Sequence, residues 1–300
     1  MTLLVTGADG QVGRELVALA RARGVGVVAA TRAVLDVTDA EAVGRAVGAA
    51  DAVVNAAAYT AVDRAEAEPD LAAAVNRDGA RTVARACAEV GVPLVHLSTD
   101  YVFDGTKGAP YVPSDPVSPL GVYGRTKAEG EAAVRAALAE HVILRTAWVF
   151  SEHGGFVRTV LRLARERETV GVVADQFGCP TSARAVARAC LAAAEQAASG
   201  RGVWGIFHYA GAPVASWFDL ATEAVRLARD LDPSIRGVVA PISTADYPAA
   251  AARPARVDLD TSAFQQAYGV AAPDWPSDLV PVVRALVAEA RRESAAGGAA

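Results

Sequence analysis

Residues 1–16 read MTLLVTGADGQVGREL: a short apolar strand, Leu3 to Thr6, runs into Gly7, Gly10 and Gly13 and then into a helix. Glycines at such a turn let the backbone approach a pyrophosphate without Cβ clashes, while the amides and dipole of the helix start attract its negative charge. The spacing is G-x-x-G-x-x-G rather than the more familiar G-x-G-x-x-G, so the strand before it and the helix after it carry the reading. Together they predict a dinucleotide-phosphate cradle, against the alternative of a glycine-rich turn that only packs.

Outward from that turn, short β-branched runs recur at Gly26 to Ala30, Ala52 to Asn55, Leu94 to Ser98 and Val142 to Arg145. Helical patterns lie between them at Gln11 to Arg23, Ala40 to Gly48, Asp70 to Val90 and Ser118 to Ala139, with Gly24 and Gly91-Val-Pro93 as stop signals and Asp39 as a cap. The alternation predicts an α/β fold, a Rossmann-type doubly wound parallel sheet with a smaller, interwoven C-terminal substrate-binding lobe. Residues 1–150 would form mainly the NAD(P)-binding domain, with part of 170–200 returning to it, and 151–300 mainly the second lobe. In that lobe the pattern predicts a helix over Phe156 to Glu168, a strand over Val170 to Ala174, a loop over Asp175 to Pro180 and a helix from Thr181. A strand over Val203 to Ala210, a Ser216-capped helix to Arg229, an extended loop over Ile242 to Pro254 and a frayed tail from Ser294 follow.

Composition narrows the class. A net charge of −5 with 52% apolar and 21% charged residues gives neither a disordered chain nor a basic surface, so no nucleic-acid partner is expected. The longest apolar stretch, Ala46 to Ala61, is broken by Asp51 and Asn55, so no membrane span is expected. Met1 lies immediately before the first strand, leaving no room for a secretory leader, which predicts a cytoplasmic protein. Cys87, Cys179 and Cys190 lack C-x-x-C spacing and read as small core residues, with no disulfide or zinc site.

Ligands of open α/β sheets sit beyond the carboxyl ends of the strands. After the second strand stand Thr31 and Arg32, with no carboxylate to repel a 2′-phosphate, which favours NADPH over NADH, although Arg32 reads equally as a solvated charge. Asp36 is a candidate for the adenine side, or a cap. Tyr123 and Lys127 are one helical turn apart and share a face. An ammonium beside a phenol lowers its pKa, and the same ammonium can hold a ribose, so the pair can exchange a proton with a carbonyl oxygen while hydride arrives. Taken alone, Tyr-x-x-x-Lys is common on amphipathic helices. Thr99, after the fourth strand, and Asn76, early in the preceding helix, stand where they would bond the reacting oxygen and support the backbone or a water of a proton relay.

The stretches Thr6 to Gly13, Val54 to Asp63, Ser98 to Phe103, Tyr123 to Lys127, Leu144 to Trp148, Asp175 to Thr181 and Arg253-Pro254 resemble the extended short-chain dehydrogenases/reductases, and within them the dTDP-4-dehydrorhamnose reductase family. The glycine and Tyr/Lys motifs are generic to the superfamily; STDYVF and DQFGCPT are far more specific. The resemblance implies reduction of the 4-keto group of a dTDP-4-keto-6-deoxyhexose by NADPH, or by NADH, to give dTDP-L-rhamnose. It makes Tyr123 the acid and Thr99 its partner. It puts Gly10, Gln11 and Val12 at the pyrophosphate, Asp36 and Val37 at the adenine, Ala58, Tyr59 and Thr60 along the middle of the cofactor, and Lys127 at the ribose. Thr99, Asp100, Tyr123, Trp148 and Gln176 fall on the sugar side, and Arg253 on the substrate diphosphate. Some members of the family form dimers bridged by Mg²⁺ through glutamates; Glu15 matches one, but Arg184 stands where another is needed. No bridging metal is therefore expected, and the chain would be a monomer or a metal-independent homodimer.

Three other functions fit the same scaffold. The chain could reduce another dTDP-4-keto-6-deoxysugar in secondary metabolism, since a few hydroxyl contacts separate such substrates. It could be a non-catalytic NADP-binding regulatory subunit, since fold alone does not set function. A dehydratase is disfavoured because Asp100-Tyr101, not Asp-Glu, follows Thr99.

Overall fold

The computed structural model describes residues 1–297. In β1 (Thr2–Thr6), Leu3 and Val5 enter one core and Leu4 the other, so the strand is buried on both faces and reads as an unbroken apolar run. The remaining strands of the first half are β2 (Gly26–Ala30), β3 (Ala52–Asn55), β4 (Leu94–Thr99) and β5 (His141–Thr146). Between them run α1 (Gln11–Ala22), α2 (Ala40–Val47), α3 (Val62–Ala67), α4 (Pro69–Ala73), α5 (Ala80–Val90) and α6 (Val122–Ala137). The second half adds β6 (Val149–Phe150), α7 (Phe156–Glu166), β7 (Thr169–Val173), β8 (Phe177–Gly178), β9 (Thr181–Ser182) and α8 (Ala183–Ala198). It continues with β10 (Gly205–His208), β11 (Ala215–Ser216), α9 (Trp217–Leu231), β12 (Val238–Ile242), α10 (Ser262–Tyr268) and α11 (Trp275–Gly297).

Six strands form one parallel sheet in the order β10-β5-β4-β3-β1-β2. The α/β doubly wound architecture expected from the sequence is therefore present. One face is covered by α1, α8 and α10, the other by α2, α5 and α6. A separate core gathers α7, α9, α11 and β7 into a smaller lobe. The two halves interweave, because α8 lies on α1 and β10 is the sheet's edge strand. β1 pairs with β2 on one side and β3 on the other, so the chain reverses its winding there; that crevice is where such sheets take ligands.

Local signals held where a side chain or a glycine closes the element. Asp39 caps α2 through the Glu41 and Ala42 amides, Ser216 and Asp219 form a capping box on α9, and Gly91 ends α5 at φ +70°.

Several boundaries are corrected. The single helix expected from Asp70 to Val90 begins at Pro69 and contains a π turn over Ala74–Gly79. The helix expected from Ser118 starts at Val122, because the Ser118 amide turns back to the Val102 carbonyl and the Val122 amide bonds Glu66 Oε1 at 2.8 Å. The helix expected from Thr181 begins at Ala183, with Ser182 as its cap. The extended loop expected from Ile242 is preceded by β12, which pairs with β7, and contains a 3₁₀ turn at Thr244–Asp246. Residues 294–297 of the expected frayed tail belong to α11, and 298–300 lie outside the described residues. All three cysteines are buried and free, and burial pushes each thiol up to about 12. Among the described residues no helix is long and apolar enough to cross a membrane.

Candidate active site

The glycine turn has a steric cause at each end. Gly7 sits at φ +64°, and a Cβ there would lie 2.7 Å from the Ala56 carbonyl carbon, so β1 and β3 deliver their turns into contact. A Cβ on Gly13 would lie 2.2 Å from the Gly7 carbonyl oxygen, so α1 packs directly on the turn. Gly10 caps α1 without a side chain, leaving the first-turn amides to a ligand anion.

From this turn opens a cleft of about 610 Å³. Gly7, Gly10, Gln11, Val12 and Gly13 form one wall, with Arg32, Asp36 and Val37 at one end. Ala58, Tyr59 and Thr60 line it beyond β3, and Tyr123 and Lys127 line the far end, beyond β4. Thr31 is the exception among the expected cofactor residues. It lies behind the cleft, its carbonyl accepting the Val34 and Leu35 amides in a tight turn that sends Arg32 forward instead. Asp36 is held by Thr38, whose amide and hydroxyl keep the carboxyl below its usual range.

At the far end, Lys127 is buried and its Nζ donates to the Leu97 carbonyl at 2.6 Å, which fixes α6 against the end of β4. Burial lowers the ammonium to about 8, with the Glu131 charge opposing the fall. Tyr123 behaves differently from the sequence expectation. Burial pushes its phenol up to about 12, with the Thr99 hydroxyl beside it partly offsetting the rise and Asp100 adding to it. Desolvation is the largest cause, and it keeps the phenol protonated rather than a ready phenolate. Asn76, in the π turn, accepts the Tyr59 amide at 2.8 Å and donates to the Tyr59 carbonyl and the Thr126 hydroxyl, both at 3.1 Å. Its side chain supports the backbone of the Tyr59 loop, with both of its amide hydrogens committed.

Of the sugar-side residues, Thr99 and Asp100 are buried beside Tyr123, with Thr99 Oγ1 donating to Asp100 Oδ1 at 3.0 Å. Asp100 Oδ2 is buried without a partner, and burial pushes the carboxyl up to about 7. Trp148 follows β5 at φ +44° and stacks on Trp217, ring centroids 3.7 Å apart. A Cβ on Gly178 would lie 2.6 Å from the Trp148 ring, so the 175–181 run presses the indole into place. Gln176 is buried and donates to the Thr244 hydroxyl. Arg253 pairs with Asp63 at 2.7 Å, near Tyr101. None of Thr99, Asp100, Trp148, Gln176 and Arg253 lines the cofactor cleft itself.

Sequence reasoning passed over His153, Arg64 and Leu97, which also line the cleft. Leu97 follows from its place near the end of β4. The other two sit on segments without motif. Glu15, Glu152 and His153 offer ligand atoms within 4.8 Å of one another, with His153 Nε2 3.1 Å from Glu15 Oε1 and Arg184 lining the adjoining cavity.

The family model described as "RmlD substrate binding domain" matches residues 1–288. A dTDP-4-dehydrorhamnose reductase of Sinorhizobium fredii is 42% identical over 296 residues, covering 97% of this chain and 99% of that protein. A dTDP-4-keto-6-deoxy-D-glucose reductase of Streptomyces niveus is 41% identical, covering 95% of this chain and 98% of that one. A solved dTDP-4-dehydrorhamnose reductase from Bacillus anthracis in complex with NADP superposes with a TM-score of 0.86 at 32% identity, covering 94% of this chain and 98% of that structure.

Proposed function

Because the chain belongs to the RmlD substrate binding domain family, we propose that it reduces the 4-keto group of dTDP-4-dehydrorhamnose with NADPH to give dTDP-L-rhamnose. The observation that carries this reading is that Tyr123 and Lys127 line one cleft together with the uncapped start of α1, with Thr99 beside Tyr123. The residues fit the cofactor. The first-turn amides of α1 have no side-chain cap and line the cleft beside Gly10, and Arg32 stands at the end opposite Tyr123, where a 2′-phosphate would be received.

NADPH, when bound, supplies the hydride that reduces the carbonyl carbon. Tyr123, held protonated by burial, gives its proton to the carbonyl oxygen, so the keto group becomes a hydroxyl. The Thr99 hydroxyl, turning from Asp100 Oδ1, donates to the same oxygen, and Lys127 holds the ribose hydroxyls while its charge compensates the phenolate left on Tyr123. Gly10, Gln11 and Val12 hold the diphosphate, and Asp36 and Val37 border the adenine. Asp100 and Trp148 bind the hexose, Gln176 lies on the same side, and Arg253 exchanges Asp63 for the substrate diphosphate. Residues 1–150, joined by part of 170–200, form mainly the cofactor domain, and 151–300 mainly the nucleotide-sugar lobe. The protein works in the cytoplasm as a monomer or a homodimer that needs no bridging metal.

The Streptomyces niveus relative favours a second reading, a reductase of a different dTDP-4-keto-6-deoxyhexose. The test is NADPH consumption with each ketosugar in turn. Turnover with dTDP-4-dehydrorhamnose and formation of dTDP-L-rhamnose supports the first reading; preference for the D-gluco ketosugar moves the assignment to the second. Binding of NADPH without turnover of either would point to another dTDP-ketosugar or to a regulatory subunit.

A further inference from the structure

Tyr123 is the second residue of α6, and it can only be as well placed as the turn that carries it. That turn has no cap of its own: Gly121 precedes it without a side chain, and no acidic residue stands within it. The missing acceptor comes from another element. Glu66 on α3 accepts the Val122 amide through Oε1 at 2.8 Å. A Cβ on Gly121 would lie 2.6 Å from that oxygen, so the glycine opens the space through which the carboxylate reaches the helix start. A negative group there also matches the positive end of the helix.

α3 is fixed by more than this bond. Ala65 is fully buried and forms a small core with Val122 and Ala72, against which Tyr123 and Tyr59 pack. Three residues before Glu66, Asp63 accepts from Arg253 at 2.7 Å and from the Ala251 amide at 3.1 Å. Lys127, one turn beyond Tyr123 on α6, is anchored separately, by the Leu97 carbonyl. The two active side chains of α6 therefore have different supports. We infer that Glu66 is a positioning residue for the proton donor: by capping α6 from α3 it sets where the Tyr123 hydroxyl stands, while the hold on the cofactor is left to Lys127. The inference rests on the reading that Tyr123 is the acid.

The experiment is single-turnover reduction, by the NADPH-loaded full chain, of whichever of the two ketosugars the wild type accepts, in H2O and in D2O. Glu66→Ala removes the acceptor, and its rate should fall by about tenfold or more, because a displaced acid loses its alignment. Its solvent deuterium effect should exceed that of the wild type, since proton transfer then limits the step, while Kd for NADPH stays unchanged. Gly121→Ala, whose Cβ takes the place of the same oxygen, is a second route to that loss and should show both changes. Glu66→Gln keeps the acceptor oxygen and should stay within about twofold of the wild-type rate. A support that served stability alone would lower Tm and the active fraction without moving the isotope effect. Wild-type rates in the two alanine variants, lower rates with an unchanged isotope effect, or a glutamine variant as slow as Glu66→Ala would overturn the inference; with Tyr123→Phe slow, the acid assignment survives. Tyr123→Phe at the wild-type rate, or a wild type that reduces neither ketosugar, would overturn the acid assignment and the inference with it.

Discussion

Asn76 and Tyr59 are joined at both backbone groups of the tyrosine: the Asn76 side chain accepts the Tyr59 amide at 2.8 Å and donates to its carbonyl at 3.1 Å. One side chain from the π turn thus completes, as a strand neighbour would, the hydrogen bonding of a loop residue that lines the cofactor cleft. The turn is pressed from behind as well, since a Cβ on Gly130 of α6 would lie 2.2 Å from the Asn76 carbonyl oxygen. Asn76→Ala leaves two backbone groups and the Thr126 hydroxyl without their partner, at a cost of about 1–3 kcal/mol. The expected outcome is a lower Tm together with weaker NADPH binding, measured by thermal unfolding and by titration; unchanged nucleotide affinity would detach the loop from the cofactor.

Tyr123→Phe deletes one oxygen and little volume. Since Lys127 is fixed through Leu97 and not through the phenol, the lysine should stay in place. NADPH binding should be retained, while turnover falls by about 10²- to 10⁴-fold. Single-turnover absorbance measurements check both halves of that statement, and a rate near wild type would remove Tyr123 from the acid role.

The parts of this site that were legible in the sequence are those where a local rule and a tertiary need coincide. Gly7 and Gly13 announce themselves because no other residue fits, and Tyr123 and Lys127 because their spacing is the helix's own. The π turn leaves no such mark, since Ala74 to Gly79 reads as ordinary helix and its irregularity comes from packing against α6. α3 is short, and no side chain caps it, so nothing separates it from the preceding loop. β12 contains Pro241, which argues for a loop; it is tolerated because β12 pairs only with β7. The phenol was misjudged for a related reason: neighbouring charges can be guessed from spacing, but burial cannot.

Burial of Asp100 gives stability a pH dependence of definite sign. Burial raises its folded-state pKa to about 7, well above the ordinary carboxylate range of the unfolded chain, so between the two the folded protein binds the extra proton. The contribution is full below the lower value and is lost as pH rises through the upper one. Asp100→Asn removes this loss. The difference in Tm, variant minus wild type, should therefore grow between acid and mildly alkaline pH; a constant offset would show that Asp100 is solvated in the folded state.

The Lys127 ammonium should set the alkaline limb of turnover. Buried to a pKa of about 8, it loses its charge above that pH, and with it the compensation for the Tyr123 phenolate. Glu131, one turn further along α6, opposes that loss, and is itself gripped by Arg145 at 2.9 and 2.7 Å and by Ser98 at 2.5 Å. Glu131→Gln should move the limb to lower pH. It should also cost about 3–5 kcal/mol of stability by leaving Arg145 buried without its partner, measured by urea unfolding. A limb that stays fixed in a folded variant would assign it to another group.

Arg253 is a half-buried cation near the sugar side, and its ion pair with Asp63 joins the 251–257 segment to α3. The same segment supplies the Ala251 amide to Asp63, and Ala255 and Val257 to Phe177 beside the Trp148 wall. A diphosphate arriving there would meet a guanidinium that already has a carboxylate partner, so binding exchanges one charge-assisted contact for another. Arg253→Met keeps the aliphatic stem and removes the charge. KM for the nucleotide sugar should rise by about tenfold or more with kcat changed much less, because a diphosphate distant from the keto carbon is held equally in the ground and transition states. Asp63→Asn, which removes the charged partner that competes for Arg253, should lower KM. Steady-state kinetics on both variants separates a binding arginine from one that only ties the segment to α3, for which the two substitutions would raise KM alike.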